Sequence, residues 1–189
     1  MKTSLLTLIL FLWTIHVYGQ SVHLAYFGET ITHYGLRGGV EFNLAQSSKT
    51  KTNGSTVSNK LIGDFSLTLY RHPQNHLGII LTPSLGWRRT GGKGGMVQAA
   101  LSPGLFRSFY EAETYTTTSN NSLEKVPLAG RWAFMPGISV GMGHDLSVRR
   151  NINLSWFVNL HYLRQYPYNT SYLNRIGLEV GFAKKIIRS

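Results

Sequence analysis

Tyr34, Leu36, Val40, Phe42 and Leu44 share one parity along YGLRGGVEFNL, and Arg37, Glu41 and Asn43 share the other. A period of two with one apolar and one polar face predicts a β-strand whose two faces meet different media. The same period returns in LIGDFSLTLY (61–70), where Leu61, Phe65, Leu67 and Leu69 oppose Asp64, Ser66 and Thr68, and in LGIILTPSLGW (77–87). NINLSWFVNLHY (151–162) sets Ile152, Leu154, Trp156, Val158, Leu160 and Tyr162 against Asn151, Asn153, Ser155, Asn159 and His161. NRIGLEVGFAKKII (174–187) sets Ile176, Leu178, Val180 and Phe182 against Arg175 and Glu179. Two further strands, 96–110 and 131–143, carry Pro103 and Pro136 inside them, and a proline cannot donate to a sheet ladder, so a bulge or break is expected at each.

With a short strand at Val22–Phe27 the count reaches eight, and no helical stretch interrupts it. HPQNH (72–76) reads as a tight turn. The polar or glycine-rich stretches 47–59, 88–95 and 113–121 read as loops. The pattern therefore predicts an all-β, antiparallel up-and-down barrel of about eight strands, a size that 189 residues accommodate.

The first residues, MKTSLLTLILFLWTIHVYGQ, have a basic start and an apolar run too short to span a bilayer as a helix. They are expected to be a signal peptide over 1–19, cut near Gly19, leaving 20–189 as a single barrel domain. No later window is long and apolar enough for a membrane helix, so a chain that crosses a bilayer crosses it as strands. The absence of cysteine excludes a disulfide framework, a lipid-anchored cysteine and a thiolate metal site.

Alternation alone leaves two barrels open: a soluble, lipocalin-like one that is apolar inside and binds an apolar ligand, and a transmembrane one that is apolar outside. Strands longer than the usual five or six residues favour the membrane. Trp87, Tyr110, Trp132, Tyr162, Tyr166, Tyr168 and Tyr172 near strand ends suit an aromatic girdle at the headgroup level. Arg37, Glu41, Asp64, Arg175 and Glu179 on the opposite parity suit a charged network in a narrow polar lumen, because the first and last strands of a closed barrel are neighbours.

The segments YFGETITHYGLRGGVEFNL (26–44), RHPQNHLGIILTPSLGWRR (71–89) and LRQYPYN (163–169) together resemble a family of small, mostly uncharacterised outer-membrane β-barrels of Bacteroidota. That resemblance implies a fold and a location in the outer membrane, and brings no reaction with it.

The formal charge of +11 is spread over strand ends and connections, not gathered on a helix. Outer-membrane lipid and lipopolysaccharide are the expected partners, with another envelope protein possible at the loops and nucleic acid excluded. A lipid-modifying outer-membrane hydrolase is the alternative of the enzyme class. The lipid A deacylase barrels resemble this chain in size, but their His-x-Ser-Asn strand motif is missing after His33, His72, His76, His144 and His161. His161, with Ser155 and Ser171, is the remaining catalytic candidate, without an acid placed beside it by sequence. His72 and His76 flank a turn, but zinc needs a third protein ligand, and turn solvation is the expected role. No cofactor, catalytic residue or metal site is expected. The overall expectation is a structural, adhesive or partner-binding barrel with its loops as the working surface.

Overall fold

The chain was described with a computed structural model that covers residues 21–29, 33–52, 54–117, 122–150 and 152–186. The expected signal segment lies outside these residues. Alternating apolar and polar positions give long antiparallel strands: β1 (Ser21–Glu29), β2 (His33–Thr50), β3 (Thr56–His72) and β4 (His76–Thr90). They continue as β5 (Gly95–Ser102), β6 (Leu105–Tyr110), β9 (Trp132–Phe134), β10 (Gly137–Asp145), β11 (Leu154–Tyr168) and β12 (Ser171–Lys185). A separate small hairpin, β7 (Tyr115–Thr117) and β8 (Leu123–Lys125), stands apart from them. Because β4 pairs with both β5 and β6, and β11 with both β9 and β10, these act as two interrupted strands, and the ten form a ring of eight. The ring closes where β1 pairs with β12 from Ser21–Lys185 to Glu29–Gly177.

The two interruptions fall at the prolines and are fitted to each other. Met135 N donates to Gly104 O at 2.7 Å, and a Cβ on Gly104 would stand 2.3 Å from Met135 O, so only glycine allows the two breaks to meet. Met135 is turned fully into the lumen there.

Both described ends of the chain lie at one end of the barrel, here called the terminal end. The facing ends of β1 and β2, the turn after β3, the described stems of the long connection 111–131 and the turn after β11 lie at the other, the distal end. Four expectations are corrected, the first being that the stretch 88–95 is a loop throughout, since β4 runs on to Thr90 and β5 starts at Gly95. The polar stretch 47–59 is largely not a loop: β2 and β3 remain paired out to Thr50 and Thr56 and extend the wall as a hairpin. The 113–121 stretch contributes β7 to the small hairpin. One helical turn, α1 (Ser147–Arg150), interrupts the strands, capped by Asp145, whose Oδ1 accepts from Ser147 N at 3.0 Å and Ser147 Oγ at 2.7 Å.

The parity of every wall strand is resolved the same way. Leu24, Leu36, Leu160, Ile176 and Phe182 point outward, with Ile176 60% and Phe182 59% exposed. Arg37, Ser66, Thr68, Asn159, His161, Arg175 and Glu179 point inward and are buried. Apart from Ile62, the large apolar side chains admitted to the lumen among the described residues form two small clusters. One, around Phe27, Tyr70, Ile80, Phe106 and Leu163, lies toward the distal end, and the other is Ala25, Met96, Phe157 and Ala183. A barrel that buries its charges and exposes its aliphatic stripes on all sides has the arrangement of a transmembrane barrel. It is the inverse of a barrel that shelters an apolar ligand.

Candidate functional site

The middle of the lumen is one connected polar band. Arg88 forks onto Glu41, Nη1 to Oε1 at 2.7 Å and Nη2 to Oε2 at 2.6 Å, while its Nε donates to Gln98 Oε1 at 2.7 Å. Gln98 Nε2 donates to Asn159 Oδ1 at 2.6 Å, and Asn159 Nδ2 to Glu179 Oε2 at 3.0 Å. The same Glu179 oxygen lies 2.7 Å from His161 Nε2, and Glu179 Oε1 lies 3.5 Å from Arg37 Nε. Arg37 Nη2 reaches Asp64 Oδ1 at 3.7 Å, and His23 Nδ1 reaches Asp64 Oδ2 at 3.5 Å. The cavity left among these groups is about 60 Å³. That is room for one or two waters, so side chains fill the centre of the barrel.

Arg175 belongs to a different cluster. Its Nη1 donates to Glu29 Oε1 at 3.0 Å and to Tyr70 Oη at 2.8 Å, and its Nη2 donates to Gln165 Oε1. The guanidinium also lies over the Phe106 ring at 5.2 Å. Arg37 and Glu41, like Arg175 and Glu179, are four residues apart in a strand. That spacing places their backbones about 13 Å apart along the wall, too far for one contact. All five charges named from sequence point inward, but each finds its partners across the lumen or on neighbouring strands, not along its own. Arg88, read from sequence as a strand-end charge, is an inward residue. Gln98, Asn159 and His23, which hold the band together, and Glu29, which holds Arg175, were missed. Asn159 shares the parity of His161 on β11, which was the available signal; Gln98 on β5 and His23 and Glu29 on β1 share no strand with a residue named from sequence.

The distal end is built on top of the apolar cluster. His33 opens β2, His72 ends β3 and His76 opens β4, and one donor atom from each ring lies within 4.8 Å of the others. They border a cavity of about 410 Å³ that also reaches Asn75, Tyr110, Arg131 and Arg175. The connection 111–131 is tied down at both stems. Arg71 Nε and Nη2 donate to Glu111 Oε1 and Oε2 at 2.7 and 3.3 Å, and Glu111 N donates to Asn75 O at 3.0 Å. The guanidinium's hydrogen bonds hold the Glu111 carboxyl below its ordinary range. On the return, Ser108 N and Tyr110 N donate to Arg131 O and Ala129 O at 2.9 and 2.8 Å. Arg131 Nη1 in turn donates to Asn169 Oδ1 in the last distal turn at 3.2 Å. From this base the β7–β8 hairpin rises, and all the residues of its two strands are exposed.

The seven aromatics named for a girdle are all exposed, but Tyr110 shares the inward face of its register partner His76, and both it and Tyr168 line the distal cavity. Tyr110, Trp132, Tyr166, Tyr168 and Tyr172 lie at distal strand ends, Trp87 lies near the terminal end of β4, and Tyr162 lies in the middle of β11. Of the catalytic candidates, His161 has an acid after all, Glu179. Ser155 is six residues away on the same strand, about 20 Å at strand rise, and its Oγ donates to Ala183 O at 3.4 Å. Ser171 lies as far from Gly177, the register partner of His161. The serine opposite His161 is Ser139, on β10, which lines the same small central cavity.

No family model matches the sequence, and no curated protein matches it. Among solved structures, the chain is similar to the N-terminal β-barrel domain of OprF from Pseudomonas aeruginosa, with 18% identity, 87% of this chain and 98% of that one covered, and a TM-score of 0.42. It is similar to the outer membrane enzyme PagL, with 11% identity, 88% and 99% covered, and a TM-score of 0.47. It is also similar to Neisserial surface protein A, with 11% identity, 89% and 95% covered, and a TM-score of 0.44. The barrel assignment for this chain rests on its own strand pairing.

Proposed function

We propose that this protein is an exported outer-membrane β-barrel without catalytic activity, closed to diffusion, that presents its distal loops to a partner. The observation that carries the reading is the inverted pattern of burial, with charges inside and aliphatic stripes outside, which needs hydrocarbon around the wall to be stable. The same reading takes residues 1–19 as a cleaved signal, with the termini on the periplasmic side and the distal end facing outward, as in bacterial barrels, which keep both termini in the periplasm. Outer-membrane lipid and lipopolysaccharide surround the wall, with the outward Tyr and Trp side chains at the headgroups, and another envelope protein meets the loops. The filled centre supports a role other than a pore. The doubly anchored 111–131 segment supports binding, because a fixed base limits the ordering that a partner must impose. Membership of the small Bacteroidota barrel family belongs to the same reading and rests on the three segments quoted above.

Fractionation of cells, followed by a detergent gel with and without boiling, tests it. The expected result is recovery in outer membranes and a band that shifts on heating. Soluble recovery without detergent refutes it.

A lipid-modifying hydrolase is the second reading, favoured by the His161–Glu179 pair with Ser139 in register. Against it stands the volume of the cavity they share, which admits water but no acyl chain. Lipid A profiles that change with the gene and revert with His161→Ala would establish this reading in place of the first.

A further inference from the structure

Sequence spacing offers His72 and His76 at the two ends of a tight turn, one ligand short of a metal site. The fold supplies a third. In β2 the inward parity of Gly35, Arg37 and Gly39 extends back to His33. The pairing of Tyr34 with Arg71 then sets His33 beside His72, while His72 and His76 are themselves register partners. Three adjacent strands thus present one imidazole each at the same level of the wall. The ring centroids of His33 and His72 are 4.1 Å apart, those of His72 and His76 5.4 Å, and those of His33 and His76 6.2 Å.

We propose that His33, His72 and His76 form a binding site for a zinc-class divalent metal ion at the distal mouth of the barrel. One donor atom of each lies within 4.8 Å of the other two. Tetrahedral ligation at Zn–N distances of 2.0–2.1 Å needs nitrogens about 3.3 Å apart, a closure of about 1.5 Å that side-chain torsions at strand ends can supply. The ring of His33 is already backed: its Nδ1 lies 3.2 Å from Glu29 O, which favours the proton on Nδ1. His76 Nδ1 lies 3.1 Å from Asn75 Oδ1 in the same sense. Its Nε2 is 3.2 Å from Tyr70 Oη, so an ion taking that nitrogen exchanges one neutral hydrogen bond for a metal bond.

The ligand set is all imidazole. That chemistry suits zinc, copper or nickel and not magnesium or calcium, which take oxygen. Three protein ligands leave a fourth position, and the site borders the cavity of about 410 Å³, which gives that position room for water or for a group brought by a partner. The alternative is an ordinary ring cluster, since His33 also packs edge-on against Tyr70 at 5.5 Å and His76 against Phe106 at 6.2 Å.

The test is calorimetric titration of the untagged full chain, folded in detergent, with zinc chloride at neutral pH, paired with visible absorption after cobalt addition. The expected result is one ion per barrel and the d–d bands of a nitrogen-ligated cobalt site. Loss of an outer-sphere partner alone typically costs 10–100-fold in metal affinity, so His33→Ala, His72→Ala and His76→Ala should each weaken zinc by about tenfold or more. Absence of zinc heat and cobalt bands in the wild-type barrel overturns the proposal, and so does a triple variant that binds as the wild type does. The wild-type titration decides binding by itself. His72→Gln, at a half-buried strand end, supplies a ligand deletion that leaves the lumen packing in place, with heat-modifiable migration as the check on folding. Zinc binding is read on the folded barrel whether or not the loops bind a partner, so the two proposals fail separately.

Discussion

Replacing Arg175 with methionine should destabilise the barrel far more than the loss of a surface charge would. Arg175 and Glu29 are 5% and 1% exposed, and the guanidinium reaches Glu29 Oε1 and Oε2 at 3.0 and 3.2 Å as well as Tyr70 and Gln165. Methionine keeps most of the volume and removes these hydrogen bonds, leaving a carboxylate, a phenol and an amide facing one another in a closed lumen. Removing one member of a buried ion pair costs about 3–5 kcal/mol, most of it the penalty on the charge left behind. An ordinary carboxyl can be neutralised at pH 7 for about 3.7 kcal/mol, which caps that penalty, so the expected loss is about 3–4 kcal/mol. Glu29→Gln combined with Arg175→Met removes the stranded charge, and the double variant should recover to a deficit of about 1–2 kcal/mol. Reversible urea unfolding in phospholipid vesicles, followed by tryptophan fluorescence, measures all three proteins. A single variant within about 1 kcal/mol of wild type, or a double variant no better than the single, would refute the reasoning.

Two further outcomes are expected at the distal end. A Cβ on Gly130 would stand 1.8 Å from Ser108 O, so Gly130→Val should push the return of the 111–131 segment off β6. With two cross-strand bonds lost at about 1 kcal/mol each, limited proteolysis within that segment should accelerate while the barrel stays folded; an unchanged cleavage rate counts against the tethering described. The Glu111 carboxyl, hydrogen-bonded by Arg71, should titrate below 4.5. A folded-state value depressed in this way contributes stability above the unfolded value and loses it as pH falls through the folded one. NMR titration of the carboxyl carbon should show the low midpoint and its return toward the ordinary value in Arg71→Ala.

The barrel was legible because a wall between two media leaves a signal in nearly every residue. Leu160 and His161 face opposite surroundings, and a period of two records that without any knowledge of distant neighbours. Pro103 and Pro136 announced the breaks in their strands for the same local reason. Contact partners were not legible. Which cation meets Glu41 depends on how side chains reach along and across the lumen: the register sets Glu41 level with Asp64 and Ser84, yet Arg88, four residues further along β4, is the cation that pairs with it. The bulge between Asn43 and Ala45 and the pairing of Lys49 with Val57 were hidden too, because polar residues on both faces erase the alternation and make an extended hairpin look like a loop. His33 escaped notice as a companion of His72 because nearly forty positions separate residues that adjacent strands place side by side.

The central claim is that hydrocarbon surrounds the stripe that carries Leu160 and Leu178, register partners on the outside of β11 and β12. The chain has no cysteine, so Leu160→Cys gives a single attachment point for a nitroxide. Power-saturation EPR of that label, in the folded protein reconstituted in lipid vesicles, compares collision with oxygen, which concentrates in the bilayer, and with a charged nickel chelate, which stays in water. High oxygen access with the chelate excluded is the predicted result. Chelate access equal to that of a label on the exposed β7–β8 hairpin would contradict it.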